Sequence, residues 1–116
     1  LTATKLAQMA QNSCLLALGD PVAACLVATP LPHALYLGKI AIAEHLRGRG
    51  ALRVLLAASE ELARSMNLSR LELQVRIELE ENQRIFSRCG FVETARTAHP
   101  GYDRVTEITM QKELTA

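Results

Sequence analysis

A chain of 116 residues, 49% apolar and 22% charged, has the length and composition of one folded domain, 1-116, around a single hydrophobic core. Its net charge of +1 excludes a broad positive field for nucleic acid, so any basic feature that matters must be local. No apolar run reaches membrane-spanning length without a charge or a proline, and Cys14, Cys25 and Cys89 lack metal-ligand spacing, so they read as reduced thiols of a cytoplasmic protein.

Leu6, Met9 and Ala10 at helical spacing predict a short helix over Leu1–Gln11. Ser13–Leu18 and Val22–Thr29 are strand-length apolar runs joined by Gly19-Asp20-Pro21, a hairpin pattern. Pro30 and Pro32 then break the ladder and make Pro30–His33 a loop. Ala34–Ala43 is apolar on both faces, which predicts a central strand, and Gly38 within it marks a bulge or a close backbone approach. A helix opens near Gly50 and stops near Asn67, with Leu52, Leu55, Leu56, Leu62, Ala63 and Met66 as its apolar stripe. Leu71–Arg76 alternates as a half-buried strand, and Glu80–Cys89 is a short helix closed by Gly90 in the left-handed cap position. Phe91–Ala98 and Val105–Lys112 are the last strands, separated by the turn His99–Asp103. Hairpin strands with two inserted helices describe an α+β fold on one mixed sheet rather than a doubly wound parallel one.

The junction Arg47-Gly48-Arg49-Gly50 sits where the central strand gives way to the first long helix. A helix N-terminus offers unpaired N–H groups and a partial positive charge, glycines let that backbone close on an anion, and arginines add forked donors. Chemistry alone leaves two readings open here, an anion site and a solvated tight turn. The P-loop pattern is absent, because no Gly-Lys-Ser/Thr follows. The dinucleotide fingerprint fails at its third glycine, where Arg53 stands, even though Glu72 falls near the acid it expects.

The run Ile40–Leu56, followed by Leu71–Val75 and by the block Glu81–Phe91, resembles the GCN5-related N-acetyltransferases. Arg47-Gly48-Arg49-Gly50-Ala51 matches the first five places of that family's Arg/Gln-x-x-Gly-x-Gly/Ala loop, and Leu52 stands where Gly or Ala is usual. Asn82 and the ending Gly90-Phe91 match the second block. The resemblance runs from about Ser13 to Leu114 and implies a mainly antiparallel twisted sheet with helices on both faces. Family members begin with a strand and helix not seen before Leu1, so the N-terminal part of the fold is expected to be trimmed.

The resemblance also implies roles. Ile40, Ala41 and Ile42 would hold the pantetheine arm of acetyl-CoA or coenzyme A along the strand. The backbone N–H of Ile42 would serve as oxyanion donor. Arg47, Gly48, Arg49, Gly50, Ala51, Leu52 and Arg53 would hold the pyrophosphate, and Asn82 would anchor the arm. Phe86 occupies the position of a tyrosine that often protonates the leaving thiolate, and it has no proton to give. Glu44 is the leading candidate base for the amine, with His45 and Glu72 behind it. The implied activity is acyl-CoA-dependent N-acyl transfer, most simply of acetyl, to a small-molecule or peptide amine acceptor; a degenerate coenzyme A-binding module is the alternative. No nucleic acid or membrane partner is expected, and sheet edges would allow a homodimer.

Other chemistry-bearing residues have simpler readings. Tyr36 reads as a sheet-face packing residue and His33 as a solvated loop residue. His99–Arg104 reads as a structured loop, with an acceptor-pocket lining as its alternative, and Tyr102 in it could replace the missing acid only if the final hairpin folds over the thioester. Cys89 reads as core, and Glu78, Glu80 and Glu81 favour a helix start through the macrodipole. No metal-ligand constellation is present.

Overall fold

The computed structural model of the chain describes residues 3–9, 13–19, 21–48 and 50–114. Its elements are β1 (Ala3–Met9), β2 (Ser13–Leu18), β3 (Ala24–Pro30), β4 (Leu35–Ile42), α1 (Ala51–Ser65), β5 (Arg70–Arg76), α2 (Glu80–Arg88), β6 (Val92–Thr97) and β7 (Glu107–Glu113). They build one seven-stranded sheet in the order β1-β2-β3-β4-β5-β7-β6. Only β4 and β5 pair in parallel; the other neighbours are antiparallel. This is the α+β fold with a mixed, mainly antiparallel sheet, and β4 lies at its centre.

The first element corrects the sequence reading. Residues 3–9 form a strand, not a helix, and pair antiparallel with β2 from Ala3↔Leu18 to Met9↔Ser13. Helical spacing of three apolar residues is a weak signal, and the ladder offered by the free side of β2 overrides it. Pro30 also belongs to β3 as its last residue, opposite Leu35, where a missing N–H costs the ladder least.

The register lines up the core. Leu16↔Leu26, Ala28↔Leu37, Leu35↔Leu71 and Leu73↔Met110 face one side of the sheet, and all eight residues are buried. Leu55, Leu56 and Ala63 of α1, with Phe86 of α2, join the same buried cluster. Lys112 of β7 reaches Glu60 of α1 on this side, with Nζ donating to Oε2 at 2.9 Å. Both helices lie on this face because both crossovers, β4→α1→β5 and β5→α2→β6, run in the same direction across the sheet and right-handed connections then fall on one side. Among the described residues α1 and α2 both pack on this first face, and no helix lies on the second. There Leu15, Val27 and Tyr36 are half-buried.

Helix ends follow their sequence signals. Gly90 stands at φ +100 just beyond α2, Phe91 N–H bonds Phe86 O at 3.0 Å and Gly90 N–H bonds Ser87 O at 3.1 Å, the Schellman arrangement. A Cβ at Gly90 would also stand 3.1 Å from Lys112 Cε. Gly19 turns the β2–β3 hairpin at φ +93, with Ala23 N–H bonded to Leu18 O at 2.9 Å; Asp20 lies outside the described residues.

Candidate active site

β4 and β5 are bridged only at Leu35↔Leu71 and Tyr36↔Glu72, and then they part. A bulge in β4 accompanies the parting. Cys25 of β3 faces Ala41 while Val27 faces Gly38, so β4 carries one residue more than its partner. Lys39 absorbs the excess at φ +51, a left-handed conformation uncommon for a residue with a side chain. A bulged strand bends and twists more strongly, which carries the end of β4 away from β5.

A cavity of about 870 Å³ occupies the gap, inside the ordinary range of roughly 300–1,000 Å³ for small-ligand sites. One of its walls is the exposed backbone of β4. Ala43 N–H bonds Ala23 O at 2.7 Å, so strand alternation turns the N–H of Ile42 away from β3 and into the gap. The pairing of Ala41 with Cys25 does the same for Ile40.

At the cavity mouth α1 begins without a cap. Gly48 and Gly50 stand at φ +77 and +81, and Gly50, the N-cap residue, provides no side-chain hydrogen bond. The first helical bond recorded at this end runs from Val54 N–H to Gly50 O at 3.1 Å. The N–H groups of Ala51, Leu52 and Arg53 therefore have no intrahelical acceptor. No acidic side chain occupies the first turn. Arg47 and Arg53 are exposed, line the cavity and make no ion pair among the described residues. A Cβ at either glycine would meet nothing within 4 Å, so the space in front of this turn is open. The result is a cluster of donors and positive charge with no internal partner, which is what a phosphate oxygen requires.

Further in, Leu46, Leu52, Ile85 and Phe86 make the wall apolar. Phe86 is 8% exposed and packs edge-on against Phe91 at a ring-centroid distance of 5.7 Å, which fixes it. Asn82, one turn earlier on α2, is exposed along the same wall.

The fold thus brings together residues far apart in sequence: Ile40 and Ile42 from β4, Arg47, Gly48, Gly50, Ala51, Leu52 and Arg53 from the turn, and Asn82 and Phe86 from α2 all line one cavity. Ala41 does not line it, being exposed and turned to pair with Cys25. Arg49 lies outside the described residues. Glu44 and His45 are exposed in a 3-10 turn, Glu44–Leu46, and neither lines the cavity.

Sequence reasoning passed over the residues on the uncovered side of the gap. Tyr36, Gly38, Gln74 and Arg76 line it there. Gly38 was the available signal, since a Cβ at that position would stand 3.2 Å from Tyr36 Cε2. The close approach that this glycine permits is the aromatic ring of its neighbour two residues back. Beside Tyr36, the Glu72 side chain is 13% exposed, and its Oε1 accepts from His33 Nε2 at 3.0 Å and from Gln111 Nε2 at 2.7 Å. Burial pushes this carboxyl up, but the Gln111 and His33 hydrogen bonds and the charges of His33 and Arg70 outweigh it and hold it below the usual carboxylate range. Burial, then the charges of Glu107 and Glu72, push the Tyr36 phenol up. Among the described residues no group of His, Cys, Asp and Glu is placed to hold a metal ion. No helix among them is long and apolar enough to cross a membrane.

Solved structures share this architecture. A Lactobacillus plantarum protein described as an N-acetyltransferase is 27% identical, with 89% of this chain and 68% of that one covered at a TM-score of 0.71. The ribosomal-protein-S18-alanine N-acetyltransferase of Escherichia coli is 21% identical, with 90% and 69% covered at a TM-score of 0.70. A Bacillus anthracis protein described as a streptothricin acetyltransferase, solved with acetyl coenzyme A, is 16% identical, with 89% and 62% covered at a TM-score of 0.77. The chain therefore spans about two thirds of the length of each of these three. No curated protein matches the sequence. The acetyltransferase (GNAT) family model matches residues 3–91, which include β4, the glycine–arginine turn, α1 and α2, and the chain belongs to that family.

Proposed function

We propose that the chain is an acyl-CoA-dependent N-acyltransferase, most simply moving acetyl from acetyl-CoA to an amine by direct attack. The observation that carries this reading is one cavity joining an uncapped, arginine-bearing helix N-terminus to the free N–H groups of a bulged central strand. Phosphates suit the first end, an extended amide-bearing arm suits the strand, and the apolar wall around Phe86 suits the thioester.

Acetyl-CoA supplies an activated acyl carbon. The amine nitrogen bonds to that carbon as its bond to sulfur breaks; the amine loses a proton and the thiolate gains one. In this reading the N–H of Ile42 faces the carbonyl oxygen and takes up the negative charge that develops there. The turn from Arg47 to Arg53 holds the pyrophosphate, and Asn82 anchors the arm. Phe86 can exclude water but cannot protonate sulfur, so the thiolate takes its proton from solvent.

One observation favours a second reading, a binding module that holds coenzyme A without turnover. Phe86 places no titratable group on the buried wall, and Leu52 lines the cavity where a smaller residue is usual in the family. Two measurements separate the readings. Thermal stabilisation by millimolar acetyl-CoA is expected under both, and its absence sinks both. Amine-dependent release of free thiol above hydrolysis is expected only of the transferase.

A further inference from the structure

The cavity has two sides, and the proposed function uses one of them. The glycine–arginine turn, α1 and α2 are on the helix-covered face, so a bound acyl-CoA fills the cavity from there. Direct attack needs a second substrate beside the first, and the other approach is from the sheet face on which no helix lies among the described residues, the uncovered face.

Tyr36 stands on that approach. It pairs with Glu72 at the point where β4 and β5 separate, and it is on the opposite face from the buried Leu35 and Leu37. Its ring lies over Gly38, with Cε2 3.2 Å from the place a Cβ would take, and so runs along β4 toward the bulge. Its hydroxyl reaches across the gap to Gln74 Oε1 of β5 at 3.5 Å, and Gln74 Nε2 in turn lies 3.5 Å from Thr109 Oγ1. The phenol therefore spans the splay on its open side, with its own proton directed at Gln74 and its oxygen lone pairs left for a donor.

Resting on the transferase reading, we propose that Tyr36 is an acceptor-binding residue, whose hydroxyl oxygen accepts a hydrogen bond from the N–H of a primary amine entering through the uncovered face. Holding that N–H orients the nitrogen lone pair toward the acyl carbon, and Gln74 keeps the phenol pointed. The carboxylates Glu107 and Glu72, which add to burial in raising the tyrosine's pKa, give this side of the gap a negative field that suits an acceptor cationic in solution.

The test is Tyr36→Phe, which keeps the ring and removes the oxygen. Acetyl-CoA affinity is measured by calorimetry, and thiol release with spermidine, ethanolamine and the α-amine of trialanine. Acceptor kcat/KM should fall about tenfold for the best of these amines, mainly through KM, as for loss of one hydrogen bond, while the acetyl-CoA Kd stays within about twofold. Gly38→Ala, which crowds the ring, should lower acceptor kcat/KM in the same direction. Turnover unchanged in Tyr36→Phe, or equal losses for acetyl-CoA and acceptor, overturns the assignment while leaving the transferase reading intact. Absence of thiol release from the wild type with every amine overturns both.

Discussion

Tyr36 and Glu72 face each other as the last bridged pair between β4 and β5, and the cavity opens just beyond them. Two parallel central strands that paired along their full length would leave no room between them. The bulge at Lys39 prevents that and also frees the N–H groups of Ile40 and Ile42. Site and fold thus share one cause, an extra residue in β4.

Arg47 and Arg53 are exposed cations at the cavity mouth with no carboxylate partner among the described residues. If Arg47 serves phosphate, Arg47→Glu should weaken coenzyme A by roughly tenfold or more, the scale of one charged hydrogen bond lost. Pantetheine, which lacks the phosphates, should bind as before. Calorimetry with the two ligands decides, and equal loss for both removes Arg47 from the phosphate site.

Gly50 needs its conformation rather than its small size. Its φ is +81, and a Cβ there would touch nothing within 4 Å. Gly50→Ala is therefore expected to lower the unfolding free energy by about 1–2 kcal/mol through backbone strain alone, and to weaken coenzyme A by moving the N–H groups of α1. Gly50→Asn, better suited to left-handed backbone, should recover part of both losses. Urea melts and coenzyme A titration of the two variants check this; equal damage from Ala and Asn would point to a contact instead of strain.

Glu72 makes stability depend on acid. Its folded-state pKa lies below the ordinary carboxylate value, because donors from Gln111 and His33 outweigh burial. A depressed pKa stabilises the fold above the unfolded value, near 4.3, and that contribution disappears as pH falls through the folded value. Glu72→Gln should melt lower than the wild type at pH 7, with the gap closing toward pH 3. A gap that stays constant across that range would show that the charge of Glu72 contributes nothing.

Much of this was legible from local pattern. The alternation of Leu71–Arg76, the stripe of α1 and the glycine closing α2 each answer to short-range physics, and the structure has all three. The first strand was not legible, because Ala, Leu, Gln and Met are good helix formers and only the neighbouring ladder makes residues 3–9 extended. Within the site, the glycine–arginine turn announced itself by composition. The splay was legible only in part: Gly38 marked a bulge or a close approach, and the structure has the bulge beside it. Lys39, which absorbs the extra residue, is neither glycine nor asparagine, and nothing local says that β5 then parts from β4. Tyr36 escaped for a related reason. Whether a strand tyrosine packs on a face or spans a gap depends on how far the next strand has moved, which the sequence of β4 does not encode.

The central claim is that coenzyme A lies in the splay with its phosphates at the start of α1. Amide chemical-shift mapping of the isotope-labelled chain during a titration with coenzyme A tests this most directly. The account predicts the largest shifts at Ile40, Ile42 and the amides of residues 50–53, with Asn82 following, and only small shifts along β6 and β7. Shifts concentrated on β6 and β7 and absent from the α1 N-terminus, or no shifts at millimolar ligand, would contradict it.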